Sequence, residues 1–142
     1  SAASDVYKRQ KQHRTKTTNR YFNYIYVRMG AHTLIHKRTE DDIWKNLFEL
    51  PLVETEKDLS EEEFLACPQF HALFAEGEVR MVRTLLRGVK HVLSHRVIYT
   101  NFYEVTLPDN SSSFSSYQRV AVEDLGRYAV PRLIHAFLEK YV

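Results

Sequence analysis

The chain has 142 residues, 44% of them hydrophobic and 13% aromatic. That is enough for one folded domain with a real core, and it argues against a disordered segment. No apolar run approaches the ~20 residues of a membrane span, residues 1–20 lack the apolar stretch of a secretory signal, and the single Cys67 excludes an internal disulfide framework or a cysteine-ligated cluster.

The net charge of +2 conceals an asymmetry. Lys8, Arg9, Lys11, Arg14, Lys16 and Arg20 stand against Asp5, so residues 1–20 carry +5 and the remainder −3. Residues 1–19 read as a basic arm or linker, and the first ten as foreign to the domain that follows. Such an arm suits a polyanion partner, or it is simply solvated.

Ordered structure is expected from Arg20. Tyr21 to Arg28 is aromatic and β-branched and reads as a strand. Gly30-Ala31-His32 reads as a turn and Thr33 to Arg38 as a second strand, making a hairpin. Glu40-Asp41-Asp42 marks a loop, Ile43 to Pro51 a compact aromatic segment, and Val53 to Thr55 a short strand. Ser60 and Glu63 have capping-box spacing, which predicts a helix over 61–67 that Pro68 interrupts. Phe70, Leu73 and Phe74 suggest another short helical piece. Val79 to Leu86 alternates, and Gly88 breaks the pattern. Val89 to Leu93 and Val97 to Leu107 read as strands. Residues 109–116 form a Ser-rich loop expected to be mobile. Val120 to Leu125 leads to Pro131, which suits the first turn of a helix. Leu133, Ile134, Phe137, Leu138 and Tyr141 continue it at helical spacing. The sum is an α+β domain with a C-terminal helix.

The junction Leu93-Ser94-His95 is unusual. Two strands are normally joined by Asn-Gly or Asp-Gly. Here the junction offers a hydroxyl and an imidazole, with the Arg96 guanidinium next to them.

Five blocks in order resemble the C-terminal domain of the MutY family of adenine DNA glycosylases. They are Arg20-Tyr21-Phe22, the segment Asp42 to Pro51 (DIWKNLFELP), the segment Val89 to His95 (VKHVLSH), Phe102-Tyr103-Glu104-Val105, and the segment Tyr128 to Ile134 (YAVPRLI). The resemblance covers roughly residues 11 to 142. It implies a Nudix-like fold, a mixed curved β-sheet packed between helices, over residues 20–142. It implies a domain that recognises 8-oxoguanine opposite adenine while a separate N-terminal domain flips out and excises the adenine. The iron–sulfur cluster would belong to that N-terminal domain. No catalytic residue, metal ligand or cofactor is expected in this chain.

8-Oxoguanine has an N–H at position 7 and a carbonyl at C8. A reader therefore needs a donor and an acceptor close together, which a serine hydroxyl and turn amides supply. Paired with adenine, the lesion turns its amine into the major groove, where a neutral imidazole can accept from it. The resemblance assigns these roles to Ser94 and His95. Leu93 stands where the family more often has an aromatic residue, leaving a small apolar wedge. Without the resemblance, Ser94 and His95 read as a solvated hairpin tip. Arg87, Lys90, His91 and Arg96 are candidate phosphate contacts, Arg96 foremost.

The competing chemistry is thin. Trp44, Phe48 and Leu50 read as core. After Pro51 no glycine-started box with an Arg-Glu constellation appears, and Glu61, Glu62 and Glu63 fit a helix start. The histidine pairs His32/His36 and His91/His95 lie outside predicted helices and lack a third ligand. The alternatives are a Nudix-type nucleotide pyrophosphohydrolase, or a non-enzymatic protein-interaction module using an exposed aromatic hairpin over Tyr21 to Tyr26. The expected partners are duplex DNA carrying 8-oxoguanine:adenine mispairs and the N-terminal domain of the same polypeptide. The expected state is a monomer in the bacterial cytoplasm, associated with the nucleoid and not with a membrane.

Overall fold

A computed structural model describes residues 18–142. In chain order the elements are β1 (Thr18–Arg28), β2 (His32–Lys37), β3 (Phe48–Glu49), β4 (Leu52–Thr55), α1 (Glu61–Ala66), α2 (Pro68–His71), β5 (Met81–Leu93), β6 (Arg96–Thr106), β7 (Gln118–Ala121), a 3-10 helix (Val122–Arg127) and α3 (Arg132–Tyr141). They form the expected α+β architecture. One sheet has the order β4-β1-β6-β5 and the other β3-β2-β7. Strands β1 and β6 run parallel, and every other strand pair is antiparallel. Among the described residues no helix is long and apolar enough to cross a membrane.

The central strands are covered on both faces, which explains why β1 reads as a continuous aromatic and β-branched run: Phe22 to Val27 are all buried. One core lies under α3 and the second sheet, where Phe22, Tyr24, Tyr26, Ile35, Leu50, Phe102, Ile134 and Phe137 meet. Phe137 stacks on Phe102 with ring centroids 4.1 Å apart. The other core lies under α1 and α2, where Phe64 stacks on Tyr103 at 4.6 Å and meets Phe70 edge-on.

Helix α1 starts as its sequence predicts. The Ser60 hydroxyl accepts from the Glu63 amide at 3.1 Å, and the Glu63 carboxylate accepts from the Ser60 amide at 3.0 Å. Pro68 does end that helix and opens α2.

Several expectations need correction. Strand β1 starts at Thr18, so Thr18 and Asn19 belong to the sheet and not to the arm; residues 1–17, the rest of the predicted arm, lie outside the described residues. β1 and β2 are not a hairpin within one sheet, because the chain bends at Gly30 (φ +60°) and β2 pairs with β3 and β7. Phe22, Tyr24 and Tyr26 are buried, so no exposed aromatic hairpin exists at Tyr21 to Tyr26. Gly88 does not end a strand. It sits at φ +70° in a bulged stretch of one continuous β5, a conformation glycine adopts without penalty.

That bulge is pinned by a buried asparagine pair. The Gly88 amide donates to Asn101 Oδ1 at 2.8 Å, Asn101 Nδ2 donates to Asn23 Oδ1 at 3.1 Å, and Asn23 Nδ2 donates to the Val53 carbonyl at 3.1 Å. The chain of amides crosses all four strands and penalises any register slip, which would strand buried polar groups.

The Ser-rich loop is tied down. Ser111, Ser112 and Ser113 donate hydroxyl bonds to the Glu78 carboxylate, and Phe114 is buried in the second core.

Candidate functional site

Strands β5 and β6 form a ribbon whose two-residue turn is Ser94-His95, flanked by the pair Leu93 and Arg96. Among the described residues, positive φ outside glycine occurs at Trp44, Asn46 and Phe114. Ser94 and His95 therefore do not use the turn geometry that favours Asn-Gly. The turn is braced from the side instead. The Thr18 amide, at the start of β1, donates to the His95 carbonyl at 3.0 Å. Both turn side chains are exposed, and among the described residues no acceptor is paired with the amide N–H of Ser94 or His95. The tip thus presents a hydroxyl and an imidazole to solvent.

Beneath the tip is a groove of about 540 Å³ lined by Thr18, Ile43, Trp44, Leu93, Ser94, His95 and Arg96. Opposed residues in the register share a sheet face, so Leu93, Arg96 and His91 look one way and Lys90 and Val92 the other. The indole of Trp44 forms the groove floor, edge-on to Phe22 at 6.0 Å and to His91 at 6.1 Å. Its backbone sits at φ +57°. A bulky residue in this region is strained, and such strain concentrates where a side chain must be aimed.

The loop that carries Trp44 is held by a charge network. Arg20 donates to both Asp42 oxygens at 2.8 and 2.9 Å and to both Glu54 oxygens at 2.8 Å. Arg38 donates to Asp42 Oδ2 at 2.9 Å, to Glu49 at 3.0 and 3.1 Å, and to the Ile43 carbonyl at 3.0 Å. Tyr24 donates to the buried Glu49 at 2.6 Å. His36 Nε2 lies 2.9 Å from Glu49 Oε2 but is not aligned for a hydrogen bond. The Arg20 hydrogen bonds lower the Asp42 carboxyl from 3.8 to about 2, against the opposing effect of partial burial. Glu54 and Asp42 in turn raise Arg20 above its already high range.

The predicted site residues divide. Leu93, Ser94, His95 and Arg96 line the groove together, and His91 packs on its floor. Lys90 is on the opposite face of the ribbon, beside Tyr99. Arg87 is elsewhere: it donates to Tyr103 Oη at 2.5 Å and to the Leu59 carbonyl at 2.8 Å, with Asp58 at 3.7 Å. Those contacts fasten the loop before α1, and Arg87 does not line the groove. Trp44, Ile43 and Thr18 are the groove residues that sequence reasoning missed. An apolar pair inside an aromatic segment reads as core, and only the fold brings it under the tip.

A profile of the NUDIX domain matches residues 23–140. The chain belongs to the NUDIX domain family. No curated protein matches the sequence. Among solved structures the fold is similar to the C-terminal domain of mouse MUTYH, solved in complex with human PCNA, with a TM-score of 0.62, 14% identity and 86% of each chain covered. It is similar to the MutT protein from Methanosarcina mazei Go1, with a TM-score of 0.56, 18% identity, and 87% of this chain and 93% of that chain covered. It is also similar to the E. coli ORF135 protein, with a TM-score of 0.56, 14% identity, and 87% and 88% covered. At these identities the likeness is one of fold.

A Nudix hydrolase needs carboxylates gathered around Mg²⁺. The residues present do not fit that arrangement. Glu61, Glu62 and Glu63 fill the first turn of the six-residue α1, and Glu63 is engaged in its cap. Among the described residues no group of three or more His, Cys, Asp or Glu side chains is arranged to hold a metal ion.

Proposed function

We propose that this domain recognises 8-oxoguanine opposite adenine in duplex DNA, as the C-terminal part of an adenine glycosylase of the MutY kind. The observation that carries the reading is the exposed Ser94-His95 turn standing over a groove with an apolar wall and a guanidinium at its rim. Ser94 Oγ faces the Watson–Crick edge that the syn lesion turns into the major groove, where the N1–H and the amine are donors that a hydroxyl can accept from. A ring nitrogen of His95 accepts from the exocyclic amine that the syn lesion turns into the major groove. Leu93 supplies an apolar wedge against a base step. Arg96 contacts a flanking phosphate, which positions without specifying. The likeness to the MUTYH C-terminal domain supports this reading at the level of fold. In it, excision belongs to a separate domain of the same polypeptide, along with that domain's iron–sulfur cluster.

The test is the binding preference of the chain for a duplex with one 8-oxoguanine:adenine pair over the same duplex with guanine:adenine. Ser94→Ala and His95→Ala should each reduce the preference by roughly 1–3 kcal/mol, the worth of one lost base-edge contact. An unchanged preference in both variants would contradict the assignment.

The second reading, a nucleotide pyrophosphohydrolase, is favoured by the family and by the likeness to MutT. The arrangement of Glu61 to Glu63 weighs against it. Mg²⁺-dependent release of pyrophosphate from 8-oxo-dGTP would establish it.

A further inference from the structure

The groove beneath the tip has a floor chemically unlike its rim. Ile43, Trp44 and Leu93 are each half-buried, packed at the margin of the core under α3 and open to the groove. The rings that serve that core alone, Phe22, Tyr24 and Phe102, are fully covered. Trp44 is handled differently. Its loop takes positive φ at both Trp44 and Asn46. The loop closes on Arg38, whose carbonyl accepts from the Asn46 amide at 2.6 Å and whose amide donates to the Leu47 carbonyl at 2.9 Å. Arg38 Nε also holds the Ile43 carbonyl at 3.0 Å. The result is a fixed apolar surface, still partly wet, beside the Ser94 hydroxyl and the His95 imidazole.

Charge does not choose what fills this floor. Among the described residues no carboxylate lines the groove, and Arg96 is its one permanently charged side chain. The exposed neighbours of the floor in the chain are Asp41 and Lys45, one of each sign, and Asp42 is engaged by Arg20 and Arg38. Apolar contact is the selecting force. A tip that enters the major groove carries the floor against the edge of the base pair beside the lesion. There a purine presents N7 and cytosine presents an amine, polar groups that would lose water against an indole and two aliphatic chains. Thymine presents its C5 methyl, the one alkyl group that the four ordinary bases display in the major groove.

We infer that Ile43, Trp44 and Leu93 read a C5 methyl next to the lesion, so that the preferred DNA has thymine or 5-methylcytosine flanking the 8-oxoguanine:adenine pair. The inference rests on the tip entering the major groove, as proposed above. It makes Trp44 a specificity-determining residue of that site.

The test is competition binding by the full 142-residue chain. The duplexes carry 8-oxoguanine:adenine or guanine:adenine, flanked by thymine, uracil, 5-methylcytosine or cytosine. Thymine differs from uracil by one methyl, as 5-methylcytosine does from cytosine, so these comparisons alter the DNA alone and need no variant to fold. The methylated member of each pair should bind about fourfold tighter, the worth of one methyl taken out of water. Trp44→Ala should erase the difference, and the smaller change Ile43→Thr should reduce it. Ser94→Ala should lower the preference for the lesion and leave the methyl difference in place. Equal binding within both pairs would overturn the inference, as would a methyl difference that a folded Trp44→Ala variant retains. Tighter binding of a flanking guanine than of thymine would overturn it too, by giving the position to Arg96. Lesion preference without a methyl difference removes this inference and leaves the proposed function standing. A methyl difference that depends on Trp44 but comes without lesion preference supports the floor contact and removes the lesion reading.

Discussion

Replacing Asp42 by Asn tests the scaffold that holds the groove floor. Asp42 accepts two bonds from Arg20 and one from Arg38, and its side chain is 27% exposed. Its carboxyl is lowered from 3.8 to about 2, chiefly by Arg20. That depression corresponds to about 2 kcal/mol of folding stability at neutral pH. A group whose folded value is depressed contributes fully above its ordinary value and loses the contribution as pH falls through the folded value. The Asp42 contribution should therefore be present above about pH 4 and be lost by about pH 2. Asp42→Asn leaves Arg20 paired with Glu54 and Arg38 paired with Glu49, so no buried charge is orphaned. The expected loss is roughly 1–2 kcal/mol, below the 3–5 kcal/mol of a broken buried pair. The assay is urea unfolding monitored by Trp44, the only tryptophan, which lies two residues from the substitution. The variant should have a lower midpoint at pH 7 and a smaller stability difference between pH 4 and pH 2 than the wild type. Equal midpoints and equal acid dependence would refute the argument that this network secures the loop.

Phe137→Ala removes a ring stacked between Phe102 and Tyr141, and should cost about 3–5 kcal/mol by thermal or urea unfolding. Glu78 is lowered from 4.5 to about 2 by the Ser111 hydroxyl first and then by the Ser112 and Ser113 donors. As pH falls through about 2 the loop over 109–116 should loosen, and Glu78→Gln should reproduce this at neutral pH as faster amide exchange confined to that loop.

Much of the fold was legible because local and tertiary signals agree. The capping box at Ser60 and Glu63 is a two-bond motif, and it forms as read. The run Phe22 to Val27 is long because both faces of β1 are covered, so composition alone marks it as a strand. Pairing order was not legible. The parallel partnership of β1 with β6 joins segments far apart in the chain, and the aromatic content that suggested an exposed hairpin instead fills a core. Gly88 misleads for a definite reason: glycine ends a strand or relaxes a bulge with the same freedom, and only the Asn101 and Asn23 amides decide which. The tip residues Leu93 to Arg96 were readable as a polar turn between strands. Trp44 was not readable as their neighbour, because its loop, with a positive φ at Trp44, is held by Arg20 from β1 and by the Arg38–Asp42 pair that follows β2, two segments far apart in the chain. Charge and nearness in sequence suggested Arg87 for DNA contact, whereas the fold places it away from the tip, with two of its donors on Tyr103 and the Leu59 carbonyl.

The central claim is that Ser94 and His95 contact the oxidised base. It is tested most directly by backbone amide and Trp44 indole NMR shifts, recorded as the chain is titrated with an 8-oxoguanine:adenine duplex and with its guanine:adenine counterpart. The account predicts that the lesion duplex shifts Leu93 to Arg96 and the Trp44 indole well beyond what the undamaged duplex does. Equal shifts from both duplexes at the tip, or lesion-dependent shifts centred on Glu61 to Ala66 instead, would contradict it.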